Sequence, residues 1–542
     1  MTGGGVASIA GRLAGRRGRS APPLWAIPAL ATVALVLLPL IYLVLRATQN
    51  GWRAYLGAIW TPLVGALVLR TVALAAGVVA LAVLLALAVA WLVARTDLPG
   101  RRLWAVLGAL PLVLPSYVAA LVLVTALGPR GHLQQLLEPL GVERLPALAY
   151  GYPGALLALA LFTFPYVYLP VLAALRDLDP ALEESARALG AGPWRSFFTV
   201  VLPQLKPALY GGGLIVALYV FSDFGAVSIT RYNTFTLAIY NAYRGLFDRT
   251  TAAALATVLV LLTVVLIAAE GRLAAGLRPS RQRPSRPAPR LALGAWRWPA
   301  LVLVGGLALV TLGLPLAVLG FWGVRGLLRG DAVAGLLAAA GNSLVAALVA
   351  ALAAVVLSLP IAIWSVRYRS RLAVFVERLS YAGFALPGLV IALALVFFAA
   401  RRLPALYQTL PLLVLAYVIR FLPEALSATR GALAQVTPAF EEAARGLGRR
   451  PLAVLRTVTV PLVLPGMVAG GSLVFLTAMK ELPATLLLRP IGFETLATEI
   501  WSYASEAIYG QAALPALVLL AVTAPPLYLL TIRPVLAGRN GG

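Results

Sequence analysis

Asp179-Pro-Ala-Leu-Glu-Glu-Ser-Ala-Arg-Ala-Leu-Gly190-Ala-Gly-Pro-Trp194 runs on to Val200-Val-Leu-Pro203, and it returns 258 residues later. The second copy reads Thr437-Pro-Ala-Phe-Glu-Glu-Ala-Ala-Arg-Gly-Leu-Gly448-Arg-Arg-Pro-Leu452 and runs on to Val458-Thr-Val-Pro461. Asp179 and Thr437 suit an N-cap, and Pro180 and Pro438 suit the first helical position, where the missing N–H has no intrahelical partner anyway. Glu183, Glu184, Glu441 and Glu442 then stand near the positive end of the helix dipole. Gly190 and Gly448 supply the left-handed residue that ends a helix. Each copy therefore predicts a helix of about two turns. One such helix is an ordinary capped connector; two with the same spacing and flanking prolines mark a duplicated unit.

Outward from each copy the chain is apolar. Of 542 residues 61% are apolar and only 12% charged, about half the charge of an ordinary soluble domain. Apolar runs lie near 24–45, 63–94, 103–127, 147–175, 198–222 and 250–269, then 298–322, 341–366, 373–400, 404–428, 457–480 and 511–532. A helix needs about 20 apolar residues to cross the hydrocarbon core, so these are twelve spans, six on each side of Arg278–Arg290. The first run follows Arg12, Arg16, Arg17 and Arg19. It is longer than a secretory signal core and lacks an Ala-x-Ala end, so it reads as a retained span.

The duplication extends beyond the connector. Leu114-Pro-Ser-Tyr-Val-Ala-Ala-Leu aligns with Leu386-Pro-Gly-Leu-Val-Ile-Ala-Leu at an offset of 272, which falls to 258 from Pro165 and Pro423 onward. The expected fold is an all-α polytopic membrane protein of about 12 transmembrane helices, arranged as two parallel six-helix repeats. Residues 1–62 form a tail, first span and outer loop; 63–269 a first transmembrane domain; 270–297 an Arg- and Pro-rich linker; 298–340 the seventh span and its loop; 341–532 a second transmembrane domain; 533–542 a tail. Segments that alternation places inside carry roughly twice the Lys and Arg of those outside, so both termini, the linker and the two connector helices are expected in the cytoplasm. Parallel repeats of this kind put a pathway between them.

Several functions are excluded. There is no Cys and a single His, His132, so thiolate chemistry, disulfides and most metal clusters are absent. The only lysines, Lys206 and Lys480, do not follow glycine, so the chain has no phosphate-binding loop for ATP. The net charge of +25 is scattered between apolar runs rather than gathered into a patch, which argues against nucleic acid. No nucleophile and base cluster indicates an enzyme, and no cofactor is expected.

The connector resembles a family signature. Glu-Ala-Ala, three residues, Gly, nine residues, then Ile-x-Leu-Pro marks the permeases of binding-protein-dependent ABC importers of the first structural type. Glu184, Ser185, Ala186, Gly190, Val200, Leu202 and Pro203 follow it, with Ser185 and Val200 as departures. Glu442, Ala443, Ala444, Gly448 and Pro461 follow it in the second copy, with Val458 and Val460 for Ile and Leu. The resemblance implies two fused permease units in the cell inner membrane, an ATPase subunit docked on each short helix, and a separate binding protein delivering substrate outside. Glu183 and Glu441 are included in the docking set.

Phe221-Ser-Asp-Phe-Gly-Ala-Val-Ser and Met479-Lys-Glu-Leu-Pro-Ala-Thr-Leu resemble segments of ferric iron permeases, which implies that substrate; thiamine or another small solute is the rival within the family, and an ion-coupled secondary transporter the rival outside it. The repeat aligns Asp223 with Glu481. Acids at membrane depth are costly and hard cations prefer oxygen ligands, so these two are expected to line the pathway entry, with Tyr219 and Tyr232 as weaker candidates. The competing reading makes Asp223 a turn cap before Gly225 and Glu481 a helix end before Pro483. Glu424 is expected to pair with Arg420 four residues earlier. His132, with Glu138 and Glu143 in the outer loop, reads as solvated.

Overall fold

The computed structural model describes residues 23–129, 131–140, 148–246, 248–274, 290–330, 335–368 and 370–529. The N-terminal arginines, residues 275–289 of the linker and the C-terminal tail lie outside the described residues. Among those described, helix dominates, and the one β-type contact is an isolated bridge between Thr96 and Leu291.

Among the described residues ten helices are long and apolar enough to cross a membrane, or up to twelve when each of two bent helix pairs is counted as one span. They coincide with the twelve apolar runs. The third span is Arg101–Val113 plus Ser116–Gln135, bent by 98°; the ninth is Arg371–Phe384 plus Gly388–Arg402, bent by 100°. Sequence patterning gives each as one apolar run. The break sits at Leu114-Pro115 and at Leu386-Pro387, equivalent places in the repeat. A residue before proline is pushed out of the helical region, and Leu114 and Leu386 are extended at ψ 124° and 123°. Pro115 and Pro387 are extended too, so two consecutive residues leave the helix and the chain turns.

The chain folds as two compact units, each drawing on both sequence halves. One comprises Met1–Leu45 and Asn342–Phe493; the other comprises Arg46–Gly341 and Glu494–Gly542. In the first unit, Ala29, Val33 and Val36 of the first span (Leu24–Ala47) are buried in one cluster with Ile361, Trp364, Leu422, Leu426 and Val463. In the second unit, the second span (Pro62–Arg95) buries Leu67, Thr71, Leu74, Val78, Ala82, Ala86, Val89 and Val93. Steps of three and four residues place these on one face, while Leu69 and Leu84 stay exposed where lipid replaces water as the apolar solvent.

Three prolines widen the helices that contain them. Turns of π-helix occupy Phe197–Val201, Leu309–Gly313 and Leu455–Thr459, each ending two residues before Pro203, Pro315 or Pro461. Proline has no N–H to give to the carbonyl four residues back, and its ring crowds that carbonyl; one wider turn relieves both. The motif's prolines therefore shape the entry to the fifth and eleventh spans (Pro193–Ser222 and Pro451–Met479).

Candidate functional site

The duplicated segment folds as two short helices, Pro180–Ala188 and Pro438–Gly446. Asp179 caps the first by accepting from Ala181 N–H at 3.0 Å. Thr437 occupies the same position in the second, but its hydroxyl makes no cap bond. At the other end both copies close in the same way. The Gly190 N–H donates to Arg187 C=O at 2.9 Å and the Ala191 N–H to Ala186 C=O at 3.0 Å. Gly448 and Arg449 repeat this onto Arg445 and Ala444 at 2.9 and 3.2 Å. This is the Schellman arrangement, which needs a left-handed residue, and Gly190 and Gly448 have φ of +84° and +79°.

Glu183 and Glu441 turn inward and are buried, at 6% and 5% exposure. Glu183 is gripped by Arg95 and by Arg187, the latter at 2.7 Å. Glu441 takes Arg367 at 3.0 Å and Arg445 at 3.5 Å, and also accepts from Thr459 Oγ1 at 3.3 Å. Arg95 ends the second span and Arg367 lies in the last turn of the eighth (Leu336–Tyr368). The two arginines are 272 residues apart, the offset that relates those spans, so the ion pair itself is duplicated. Sequence reasoning missed both; the signal was an arginine at the same place at the end of each run. Glu442 is exposed and Glu184 half-exposed. Around them Leu182, Leu189, Trp194 and Phe440, Leu447, Leu452 are exposed apolar side chains, with Leu189 and Leu447 at 89% and 84%.

The two candidate pathway acids are also buried, at 6% each. Asp223 follows the fifth span and accepts from the N–H groups of Ala226 and Val227 at 2.9 and 3.2 Å, capping the short helix Gly225–Ile229. The Ser116 hydroxyl donates to its other oxygen, and Thr236 Oγ1 donates to its backbone carbonyl at 2.5 Å. Glu481 follows the eleventh span and accepts from Ala484 N–H at 3.2 Å at the head of Pro483–Leu488. Both acids therefore accept N–H groups of the short helix that follows them, and each faces the break of a bent span. Their surroundings differ: Glu481 pairs with Arg420 at 3.5 Å, and in the other unit Phe162 stands where Arg420 does.

Arg420 thus turns to Glu481 rather than to Glu424, which instead accepts from Thr477 Oγ1 at 3.0 Å. The four-residue spacing allowed the local pair, but the burial of Glu481 beside the broken ninth span gives the guanidinium a less hydrated partner. Tyr219 packs against Tyr166 with ring centroids 5.9 Å apart, and Tyr232 donates to Arg70 C=O at 3.3 Å. His132 packs edge-on against Phe321 at 5.0 Å and near Trp322 at 6.0 Å, so it is an aromatic-cluster member rather than a solvated loop residue. Glu138 is exposed, and Glu143 lies outside the described residues. Among the described residues no three His, Asp or Glu side chains converge on a metal-sized site.

A family model described as the binding-protein-dependent transport system inner membrane component matches residues 82–279 and again 354–533. The chain belongs to this family. It is a permease with the family's unit present twice, and a multi-pass inner membrane protein. Its similarity to the Fe(3+)-transport system permease protein FbpB 2 of Haemophilus influenzae is 34% identity, over 94% of this permease and 98% of that protein. The sulfate transport system permease protein CysT of Escherichia coli is 32% identical over 43% of the permease and 84% of its own length. The molybdenum transport system permease protein ModB of Escherichia coli is 37% identical over 25% of the permease and 58% of its own length. Both matched stretches include one connector helix, Pro180–Ala188 or Pro438–Gly446.

Proposed function

We propose that this permease imports ferric iron across the cytoplasmic membrane, with an ATPase subunit seated on each connector helix and a binding protein presenting the substrate outside. The observation that carries the substrate is the extent of likeness to the iron permease: it covers both repeats and nearly the whole of each chain, whereas the sulfate and molybdenum permeases match a part. Asp223 and Glu481 support it chemically, since carboxylates are the natural partners of a hard cation. Ferric iron is cargo here, and a transit path needs weak, successive contacts rather than a closed cage.

Docking is supported by the exposed apolar faces around Leu189 and Leu447. A short amphipathic helix laid into a partner's groove is a recurrent mode of recognition, and an exposed apolar patch rimmed by charge marks such a surface. On this reading Glu184, Ala186 and Gly190, with Glu442, Ala444 and Gly448, shape the docked helix, and Pro203 and Pro461 set its exit into the next span. Both termini and both helices lie on the cytoplasmic side, and nucleotide-driven movement of the helices alternates access to the pathway.

The test is reconstitution of the permease with its ATPase subunits in proteoliposomes, with the iron-loaded binding protein outside. ATP-dependent accumulation of radiolabelled ferric iron, and none of sulfate or molybdate presented in the same way, is the expected result. Uptake of an oxyanion without iron would overturn the substrate. Leu189→Asp with Leu447→Asp should remove the co-purifying ATPase, and its retention would overturn the docking surface.

A further inference from the structure

The duplicated ion pair between the ends of the second and eighth spans and the connector helices carries a mechanical role of its own. We propose that Arg95 and Arg367 are positioning residues that lock each connector helix to the span beside it, so that the two move as one rigid body when the helix is displaced. This rests on the docking reading above.

Three observations support it. First, each pair joins two helix ends of opposite dipole sign: the cation lies in the last turn of a span and the acid in the first turn of a connector helix, where each is favoured. Second, the pairs are buried, with side-chain exposures of 3% and 7% for Arg95 and Glu183 and of 12% and 7% for Arg367 and Glu441. A buried charge-assisted contact resists shear as a solvated one does not. Third, the carboxylates hold on at both oxygens. Arg187 and Arg445 of the connector helices take one, and the span arginines take the other, so the acid is fixed to its own helix and to the span at once.

The surroundings strengthen the joint differently in the two copies. Arg367 also donates to Val436 C=O at 3.2 Å, just ahead of the second connector helix, and Thr459 ties Glu441 to the π-turn that opens the eleventh span. Val201 replaces Thr459 in the first copy. There, Leu291 N–H donates to Arg95 C=O at 2.8 Å and Leu293 N–H to Asp97 at 2.9 Å, which fastens the end of the second span to the last part of the linker. Stability alone is a poor account of these pairs. Arg95 Nε and Nη1 are buried without a hydrogen-bond partner among the described residues, and a buried ion pair gains little over a well-packed apolar one. What it does supply is a fixed geometry between two elements.

The absence of cysteine makes a direct test simple. Spin labels on Gly65→Cys, near the outer end of the second span, and Ala188→Cys, at the end of the connector helix, bracket roughly 45 Å of helix. Pulsed dipolar spectroscopy of the purified chain, and of its complex with the ATPase subunits with and without ATP, should give one narrow distance unchanged by nucleotide. Arg95→Met should broaden it at least twofold and make it nucleotide-dependent, and exchange of the charges, Arg95→Glu with Glu183→Arg, should narrow it again. Leu337→Cys with Gly446→Cys and Arg367→Met repeats the measurement in the other copy. In proteoliposomes the double arginine variant should keep its ATPase subunits while iron uptake per ATP hydrolysed falls at least tenfold. A distance distribution in Arg95→Met and Arg367→Met as narrow as in the unaltered chain overturns the proposal, as does loss of the ATPase with the distance unchanged. Failure of the docking reading shows separately, as ATPase retention by Leu189→Asp with Leu447→Asp.

Discussion

At Gly388 one added methyl group would run into a buried ion pair. A Cβ there would overlap Arg420 Nη1 and lie 2.5 Å from Glu481 Oε1 and 3.0 Å from Arg420 Cζ. The guanidinium would have to withdraw by well over an ångström, and its contact with Glu481, already 3.5 Å long, would not survive. Breaking a fully buried pair costs about 3–5 kcal/mol; Arg420 is 20% exposed and can reach partial hydration, so about 1–3 kcal/mol is the expected loss. For a unit of this size that lowers the apparent unfolding temperature by about 2–12 °C, measured as loss of the monodisperse peak after heating in detergent. The double variant Gly388→Ala with Arg420→Ala discriminates the cause: once the arginine is gone the methyl group meets fewer atoms, so the double variant should be no worse than Arg420→Ala alone by more than about 0.5 kcal/mol. Additive losses, or a Gly388→Ala protein as stable as the original, would refute the reasoning.

The remaining expectations concern the connectors, the broken spans and one exposed cap. Gly190→Ala and Gly448→Ala add a methyl group to open space, so the whole cost is the left-handed backbone, about 1–2 kcal/mol each; Asn should cost less, and ATPase co-purification should fall in that order. Pro115→Ala with Pro387→Ala lets the third and ninth spans straighten, and ATP-driven uptake should be lost although the protein still inserts, as protease protection of the loops would report. Asp248, ahead of the sixth span (Arg249–Ala274), is held below the usual carboxylate range by the hydroxyl and N–H of Thr251 and the N–H of Thr250. A depressed folded value means stabilisation that is present above the ordinary Asp value of about 3.9 and lost as pH falls through the depressed one. Asp248→Asn should therefore be less stable than the original at pH 6, with the gap closing as the buffer is taken below pH 4.

The repeat made the architecture legible, because a duplicated pattern of apolar runs constrains both copies at once. Each of the twelve runs fell on a long helix or a bent helix pair, and the signals around Asp179, Gly190 and Gly448 ended in the cap and closing turns they announce, while Thr437 stands at its cap position without a cap bond. The bends at Leu114-Pro115 and Leu386-Pro387 were visible as letters, but proline inside an apolar run is equally compatible with a kinked continuous span; only the second extended residue decides. Arg95 and Arg367 escaped notice because an arginine at the end of a span is what membrane topology alone predicts, and its partner lies far along the chain. For the same reason Arg420 was assigned to the acid nearest in sequence. The sides of a helix follow from spacing, whereas a buried charge takes whichever partner the tertiary fold leaves least hydrated.

What duplication preserved and what it let drift separate along functional lines. The acid of each connector helix, the arginine at the end of the neighbouring span and the glycine that closes the helix are the same in both copies, as two equivalent ATPase subunits would require. The two acids beyond the fifth and eleventh spans keep their capping bonds, but their company diverges: Ser116 donates to Asp223, while the equivalent Gly388 opens the space that Arg420 fills beside Glu481. An acid paired with a guanidinium presents little net charge. On the proposed iron reading, removing the guanidinium should therefore unmask Glu481, so Glu481→Gln should depress uptake more in an Arg420→Ala background than in the unaltered chain. A Glu481→Gln loss of the same size with and without the arginine would mean that Arg420 does not shield its partner.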